Sequence, residues 1–335
     1  MNRPRPADTK LLLCVWHRFT LWRPPADVAV HVRQRYPEMR VVHLPTYDLM
    51  DAELPDTDIF VGWSLKPEQF RHARKLKWLH ATAAGVDQLM RDDIRRSPVV
   101  ITNSSSVLTL PMAEHTLALM LALARRFPSA VRYQEKRHWA QQEIWDEIPH
   151  PRELYGSTLV VVGYGAIGRE LGRRVRALGM KVIGVKRDPS RGAEHADRVV
   201  AAEQLEEVLG EGDFVVLATP VTPQTQRLFG RRQFAAMKAT GYFINIARGV
   251  LVDTEALVGA LRERVIAGAA IDVAEREPLV PESPLWTAPN LFITPHLAAV
   301  SEPLWQRHAA LLFENLDRWF AGRELLNLVD KDRGY

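Results

Sequence analysis

The chain has 335 residues, of which 47% are hydrophobic and 25% charged, the balance of an ordinary globular protein. Its 44 Lys and Arg against 40 Asp and Glu leave a net charge of +4. That charge is small, and basic clusters such as Arg173-Arg174 alternate with acids, which argues against a nucleic-acid partner.

At this length two domains are expected, because single cores seldom grow much past about 250 residues. The single cysteine, Cys14, excludes an internal disulfide and fits a reducing compartment. It lies in LLLCVW (11–16), which reads as a buried strand and is too short for a signal-peptide core or a membrane span. No other stretch reaches about 18 uninterrupted apolar residues, so no membrane association is expected and the cytoplasm is the expected compartment.

Short apolar runs alternate with helical patterns almost throughout, predicting an α/β protein with mainly parallel strands. Strands are expected at 11–16, 40–44, 58–62, 77–81 and 98–102, and helices over 26–36 and 67–75. A long helix is expected after Pro111, with Leu117, Met120, Leu121 and Ala124 on one face. The aromatic, charged stretch 132–156 reads as an exposed connection, with Trp139 and Trp145 serving packing or a subunit interface. A second series begins at Thr158, with strands at 158–162, 181–185, 213–218, 242–246, 267–272 and 291–293. The helix at 254–264 takes Asp253 as N-cap, and the last helix starts near Ser301 with Pro303 in its first turn. Two α/β units joined by a long helix suggest a cleft, where ligands usually bind.

The most informative stretch is GYGAIG (163–168), which follows the apolar run TLVVV (158–162). It opens a helical pattern at Ile167, Leu171, Val175 and Leu178. Gly163 suits a sharp turn, Gly165 the approach of a pyrophosphate to the backbone, and Gly168 close packing of helix on strand. The helix beginning at Ala166 and Ile167 offers N–H groups and its positive dipole end to phosphate.

Four further segments fall at or after strand ends: LATPVTPQT (217–225), INIARG (244–249), AIDVAEREPL (270–279) and TPHLA (294–298). Singly, Arg248 reads as a loop arginine, Glu277 as a solvated acid and His296 as a capped loop histidine. Together they supply hydride-transfer chemistry. Reduction of a ketone needs a proton donor, which a histidine provides near neutrality. A carboxylate beside it favours the imidazolium and orients the ring. An arginine grips a substrate carboxylate in a planar fork. No His/Cys spacing resembles a metal site, and His115 in AEHTLALML is expected to pack or cap on the long helix.

In this order GYGAIG, INIARG, DVAEREPL and TPH resemble the D-isomer-specific 2-hydroxyacid dehydrogenase family. AAGVDQL (83–89) and LPMAEHTLALMLALARR (110–126) resemble further family segments, so the likeness covers nearly the whole chain. It implies two doubly wound parallel-sheet domains. Residues 1–104 with 299–335 would form a flavodoxin-like substrate domain, and 105–298 a Rossmann cofactor domain. The resemblance also implies Arg248 as substrate-binding arginine, Glu277 as the histidine's partner and His296 as acid/base. The substrate carboxylate would meet the backbone amides of Ala84 and Gly85. Nicotinamide contacts are implied at Asp272, at His296 and along Ile246, Ala247 and Arg248, with Thr219, Pro220 and Thr225 on the adenosine side. Asp272 also reads as a strand-end acid paired with a neighbouring helix, and Thr225 as a helix N-cap. A homodimer is implied as well.

The chain departs from the family pattern in two places. GMKVIGVKRDP (179–189) puts Lys186 and Arg187 where members preferring NAD carry a ribose-binding carboxylate, with Asp188 a step later. Those cations would attract a 2′-phosphate, so NADP(H) is the expected cofactor; NAD(H) is the alternative if Asp188 reaches back to the ribose. HLAAVSEP (296–303) lacks the glycine and threonine that follow the histidine in many relatives. The expected activity is reduction of small 2-oxo acids such as glyoxylate or hydroxypyruvate to D-2-hydroxy acids. A dinucleotide-sensing co-repressor and a formate- or phosphite-type dehydrogenase are the alternatives.

Overall fold

The computed structural model describes residues 4–190 and 192–334. The chain falls into two compact units, one formed by the chain up to Leu108 together with the part from Val300 on, the other by Thr109–Ala299.

Unit 1 alternates strands β1 (Lys10–Cys14), β2 (Arg40–His43), β3 (Ile59–Gly62), β4 (Trp78–Ala81) and β5 (Val100–Thr102) with helices α1 (Asp27–Arg35), α2 (Met50–Glu53), α3 (Pro67–His72) and α4 (Asp92–Arg95). The strands pair in parallel in the order β2-β1-β3-β4-β5. This is a flavodoxin-like order whose switch point lies between β1 and β3. Both sheet faces are covered, so β1 is buried along its whole length. Its side chains alternate between two cores: Leu12 and Cys14 pack with Phe60, Leu79 and Ile101, while Leu11 and Leu13 pack with Ile59, Val61 and Trp78.

Helix α5 (Ser105–Ala124) contains the boundary between the units. The helices α6 (Phe127–Glu135) and α7 (Gln141–Asp146) follow it, and then the second sheet series begins. Its strands are β6 (Thr158–Val162), β7 (Lys181–Lys186), β8 (Arg198–Ala201), β9 (Phe214–Leu217), β10 (Tyr242–Asn245), β11 (Gly268–Ile271) and β12 (Leu291–Ile293). The intervening helices are α8 (Ala166–Ala177), α9 (Leu205–Leu209), α10 (Arg231–Ala236) and α11 (Thr254–Arg262). All seven strands are parallel, in the order β12-β11-β10-β9-β6-β7-β8, a doubly wound Rossmann sheet. One face carries α9, α10 and α11 through Val208, Phe234 and Leu257; the other carries α5 and α8 through Met120, Leu123, Leu171 and Val175. The chain returns to unit 1 through α12 (Leu304–Ala321), whose Leu312 and Leu316 cover the Leu11–Leu13 face.

Four sequence expectations need correction. The long helix begins at Ser105, so Pro111 lies inside it and not before it. The Ser105 amide donates to Asn103 Oδ1 at 3.1 Å, starting the helix early, and packing of its apolar face outweighs the bond that proline cannot make. The stretch read as a connection holds α6 and α7, with Pro128 in the first turn of α6. Pro303 ends up as the cap of α12, which starts at Leu304 rather than near Ser301. Edge strand β8 was not anticipated, because its four-residue RVVA run passes straight into a helical turn at Ala202–Gln204. By length and composition α5 is apolar enough to cross a membrane, yet 56% of that window is buried inside the fold, as befits a core helix.

Candidate functional site

Parallel strands all end at the same edge, so one edge of the unit 2 sheet collects the segments after β6, β7, β9, β10, β11 and β12. Every site residue named from the sequence lies on these segments, except Ala84 and Gly85, which follow β4 in unit 1.

After β6 the chain turns at Gly163, where φ is +95°. A Cβ there would lie 2.6 Å from the backbone of Ala218 and Thr219, so only glycine fits. Gly165 faces open space, and no side chain caps the start of α8 at Ala166 and Ile167. Gly168 packs against Val161, where a Cβ would stand 3.1 Å from its Cγ1. Open space over the first-turn amides of the 12-residue helix α8 fits a pyrophosphate group.

Lys186 ends β7 and Arg187 follows it, exposed. The sequence reading missed Arg169, immediately after the last glycine of the motif. A Cβ built at Gly192 would lie 2.9 Å from Arg169 Nη1, 3.4 Å from Lys186 Nζ and 3.5 Å from Glu194 Oε2, the carboxylate that pairs with Arg169 at 3.6 Å. Asp188 Oδ1 is engaged by the amide and hydroxyl of Ser190, at 3.1 and 2.5 Å. After β9, Thr225 caps no helix: its hydroxyl accepts from the Thr222 amide at 2.7 Å and donates to Pro220 O at 2.8 Å. The loop from Thr219 and Pro220 onward is thereby closed on itself.

Asn245, at the end of β10, is 1% exposed and shapes the Ile246–Arg248 loop. Its Oδ1 accepts from the Ala247 amide and its Nδ2 donates to Arg248 O, both at 3.0 Å. A Cβ at Gly249 would stand 1.9 Å from Ala274 C and 2.1 Å from Glu275 N. This backbone-on-backbone contact brings Arg248 beside the loop that carries Glu277. Glu277 accepts from the Ala274 amide at 3.0 Å through Oε1 and from His296 Nδ1 at 2.6 Å through Oε2. Burial pushes the Glu277 carboxyl up, but the His296 bond and charge, the Ala274 amide and Arg248 outweigh it and hold the group below the usual range.

His296 has φ +56°, a left-handed backbone that places its ring outward from the turn after β12. Its amide donates to Asp272 O at 2.8 Å and Thr294 O at 3.0 Å. The Asp272 side chain, 2% exposed, faces inward and accepts from the Thr294 hydroxyl at 2.6 Å and from the Leu297 and Ala298 amides at 2.8 Å. His115 on α5 stands 3.5 Å from the same carboxylate, so the helix-paired reading of Asp272 applies to its side chain.

A Rossmann sheet with a glycine turn and a carboxylate-paired histidine at its ligand-binding edge defines a dinucleotide-dependent oxidoreductase. The sequence pattern of the family described as D-isomer specific 2-hydroxyacid dehydrogenase, NAD binding domain, matches residues 117–298. A glyoxylate reductase of Pyrococcus furiosus is 36% identical over 79% of this chain and 79% of its own length. A D-isomer specific 2-hydroxyacid dehydrogenase from Xanthobacter autotrophicus, solved with NADPH and MES, is 30% identical with a TM-score of 0.82 over 98% of this chain and 100% of its own. An NADPH-dependent glyoxylate/hydroxypyruvate reductase from Sinorhizobium meliloti, solved with NADP and sulfate, is 27% identical with a TM-score of 0.81 over 98% and 100%. The chain belongs to the D-isomer specific 2-hydroxyacid dehydrogenase family.

Proposed function

We propose that the protein reduces small 2-oxo acids of the glyoxylate or hydroxypyruvate kind to D-2-hydroxy acids, with NADPH as preferred cofactor. The observation that carries this reading is the 2.6 Å bond from His296 Nδ1 to Glu277 Oε2. It fixes which ring nitrogen faces the carboxylate and leaves Nε2 to move the proton. When bound, the nicotinamide supplies the hydride that the keto carbon receives. His296 gives a proton to the carbonyl oxygen, Glu277 stabilises the imidazolium, and Arg248 holds the substrate carboxylate and offsets the developing alkoxide charge. Asp272, Ile246 and Ala247 shape the nicotinamide side. Unit 1 is proposed as the substrate domain, with the Ala84 and Gly85 amides as its carboxylate-binding groups.

Lys186 and Arg187 support the NADPH preference. A 2′-phosphate carries close to two charges, and a few partly exposed charge-assisted bonds give on the order of a 10- to 100-fold preference. The decisive experiment is a 2-oxo acid panel assayed with NADPH and NADH in parallel. Arg187→Ala is expected to remove most of the NADPH preference in kcat/KM while sparing NADH kinetics. Equal or better kcat/KM with NADH in the unmodified enzyme overturns the cofactor reading; no turnover of any 2-oxo acid favours the dinucleotide-sensing alternative.

A homodimer is the proposed assembly, checked by light scattering. Phe127, Val131, Trp139, Trp145, Ile148 and Tyr155 are all exposed within one stretch of unit 2, which supports a partner surface there. The cytoplasm is the proposed compartment, in keeping with a buried Cys14 whose thiol is pushed up to about 12 by burial.

A further inference from the structure

The turn that presents His296 is held by hydrogen bonds that reach back to His115 on α5, a residue to which the proposed chemistry gives no role. The Asp272 carboxylate clamps the turn from both sides, accepting from Thr294 before the histidine and from Leu297 and Ala298 after it. A left-handed non-glycine residue persists only when its surroundings over-determine it, and these three bonds do so. Thr294 has a single hydroxyl proton, and its 2.6 Å contact with the carboxylate uses it. His115 Nε2 lies 3.1 Å from that hydroxyl oxygen and 3.5 Å from Asp272 Oδ1. Both neighbours are then acceptors toward the ring, so Nε2 carries the proton and donates. Burial lowers the proton affinity of His115 more than the nearby Asp272 charge raises it, which agrees with a neutral ring protonated on Nε2.

We propose that His115 is a positioning residue for proton transfer: its Nε2–H donates into the Thr294–Asp272 pair and so fixes the turn that aims the His296 ring at Glu277. This rests on the reading of His296 as proton donor. On the same helix Leu119 and Met120 lie in the core of unit 2 and Leu117 packs against it, so packing alone at His115 would be served by leucine.

The test compares His115→Leu, which keeps bulk and loses the donor, with His115→Gln, whose side-chain amide keeps a donor at similar reach. In His115→Leu, kcat for 2-oxo acid reduction is expected to fall about 5- to 30-fold, the effect of one or two hydrogen bonds. KM for the 2-oxo acid and NADPH affinity by fluorescence titration stay within about twofold, and His115→Gln recovers most of kcat. A substrate-independent arm uses proton NMR of the free protein. The low-field Nδ1–H resonance of His296 against Glu277 is expected in the wild type and His115→Gln, and is broadened or lost in His115→Leu. Wild-type kcat with an unchanged resonance in His115→Leu overturns the assignment, as does an equal loss in both variants, which would mean ring packing alone. Should the wild type turn over no 2-oxo acid, the proposed function falls while the NMR arm still decides the role of His115.

Discussion

His296 and Glu277 are about 43% and 36% exposed on their side chains, so water screens their attraction, and their value lies in orientation more than in stability. Replacing His296 with Gln is expected to cut kcat by about 10²–10⁴-fold, the usual loss for a general acid, with cofactor binding unchanged. Near-wild-type turnover would count against its role. Glu277 holds its charge to lower pH than an ordinary glutamate, so the partner of His296 is anionic at neutral pH. With His296 as the proposed proton donor, reduction is lost as pH rises, and Glu277→Gln, which removes the anion, is expected to bring that loss to lower pH in kcat/KM profiles. An unmoved alkaline limb would break the pairing. Arg248→Lys should raise KM for 2-oxo acids, because an ammonium cannot make the planar two-bond grip. A fall in kcat alone would put Arg248 on the carbonyl instead. The pairing of Glu277 with His296 was legible in the sequence because both lie in loops that follow the neighbouring parallel strands β11 and β12. Thr294, Asn245, Arg169 and the link to His115 were not. A hydroxyl, an amide or a lone histidine on a helix carries no spacing signal until the sheet edge brings its partner close.

Among the elements, periodicity alone predicted eleven of the twelve strands to within two residues, since each is a short apolar run bounded by turns. The misplaced starts share a cause. Proline was taken to open a helix, but Pro111 is absorbed inside α5 and Pro303 stays outside α12 as its cap, because tertiary packing and the preceding turn decide. Thr225 misled in a similar way, as its hydroxyl closes a loop that no helix follows directly. Gly249 is the element-scale joint of the site. A methyl there would collide with backbone at 1.9 Å, which no rotamer change relieves. Gly249→Ala is expected to cost about 1–3 kcal/mol or more in urea unfolding and to lower activity by moving the Arg248 loop off the Glu277 loop. An unchanged urea midpoint would show that the loops are not locked together.

At the scale of the molecule, unit 1 holds two buried histidines that resist protonation. Burial, with the His308 charge adding to it, lowers His80 to about 3, and burial lowers His308 to about 4. The unfolded chain takes up those protons near pH 6.5, the folded one only below about 4. Stability is therefore complete above pH 6.5 and falls as the solution is acidified, by about 2 kcal/mol per histidine at pH 5. Calorimetry between pH 7.5 and 5 should show the melting temperature dropping, less steeply in His308→Gln; a flat profile would contradict it. Unit 1 is also discontinuous in sequence, while unit 2 is one uninterrupted stretch, Thr109–Ala299. On the ribosome, unit 2 is therefore complete before unit 1 has its last helix. Until α12 emerges, the Leu11, Leu13, Ile59 and Val61 face has no Leu312 or Leu316 to cover it. The first third of the chain to be made is the last to finish folding. A nascent chain stalled before Val300 would carry a finished Rossmann domain behind a half-clad, aggregation-prone sheet, the kind of surface chaperones hold.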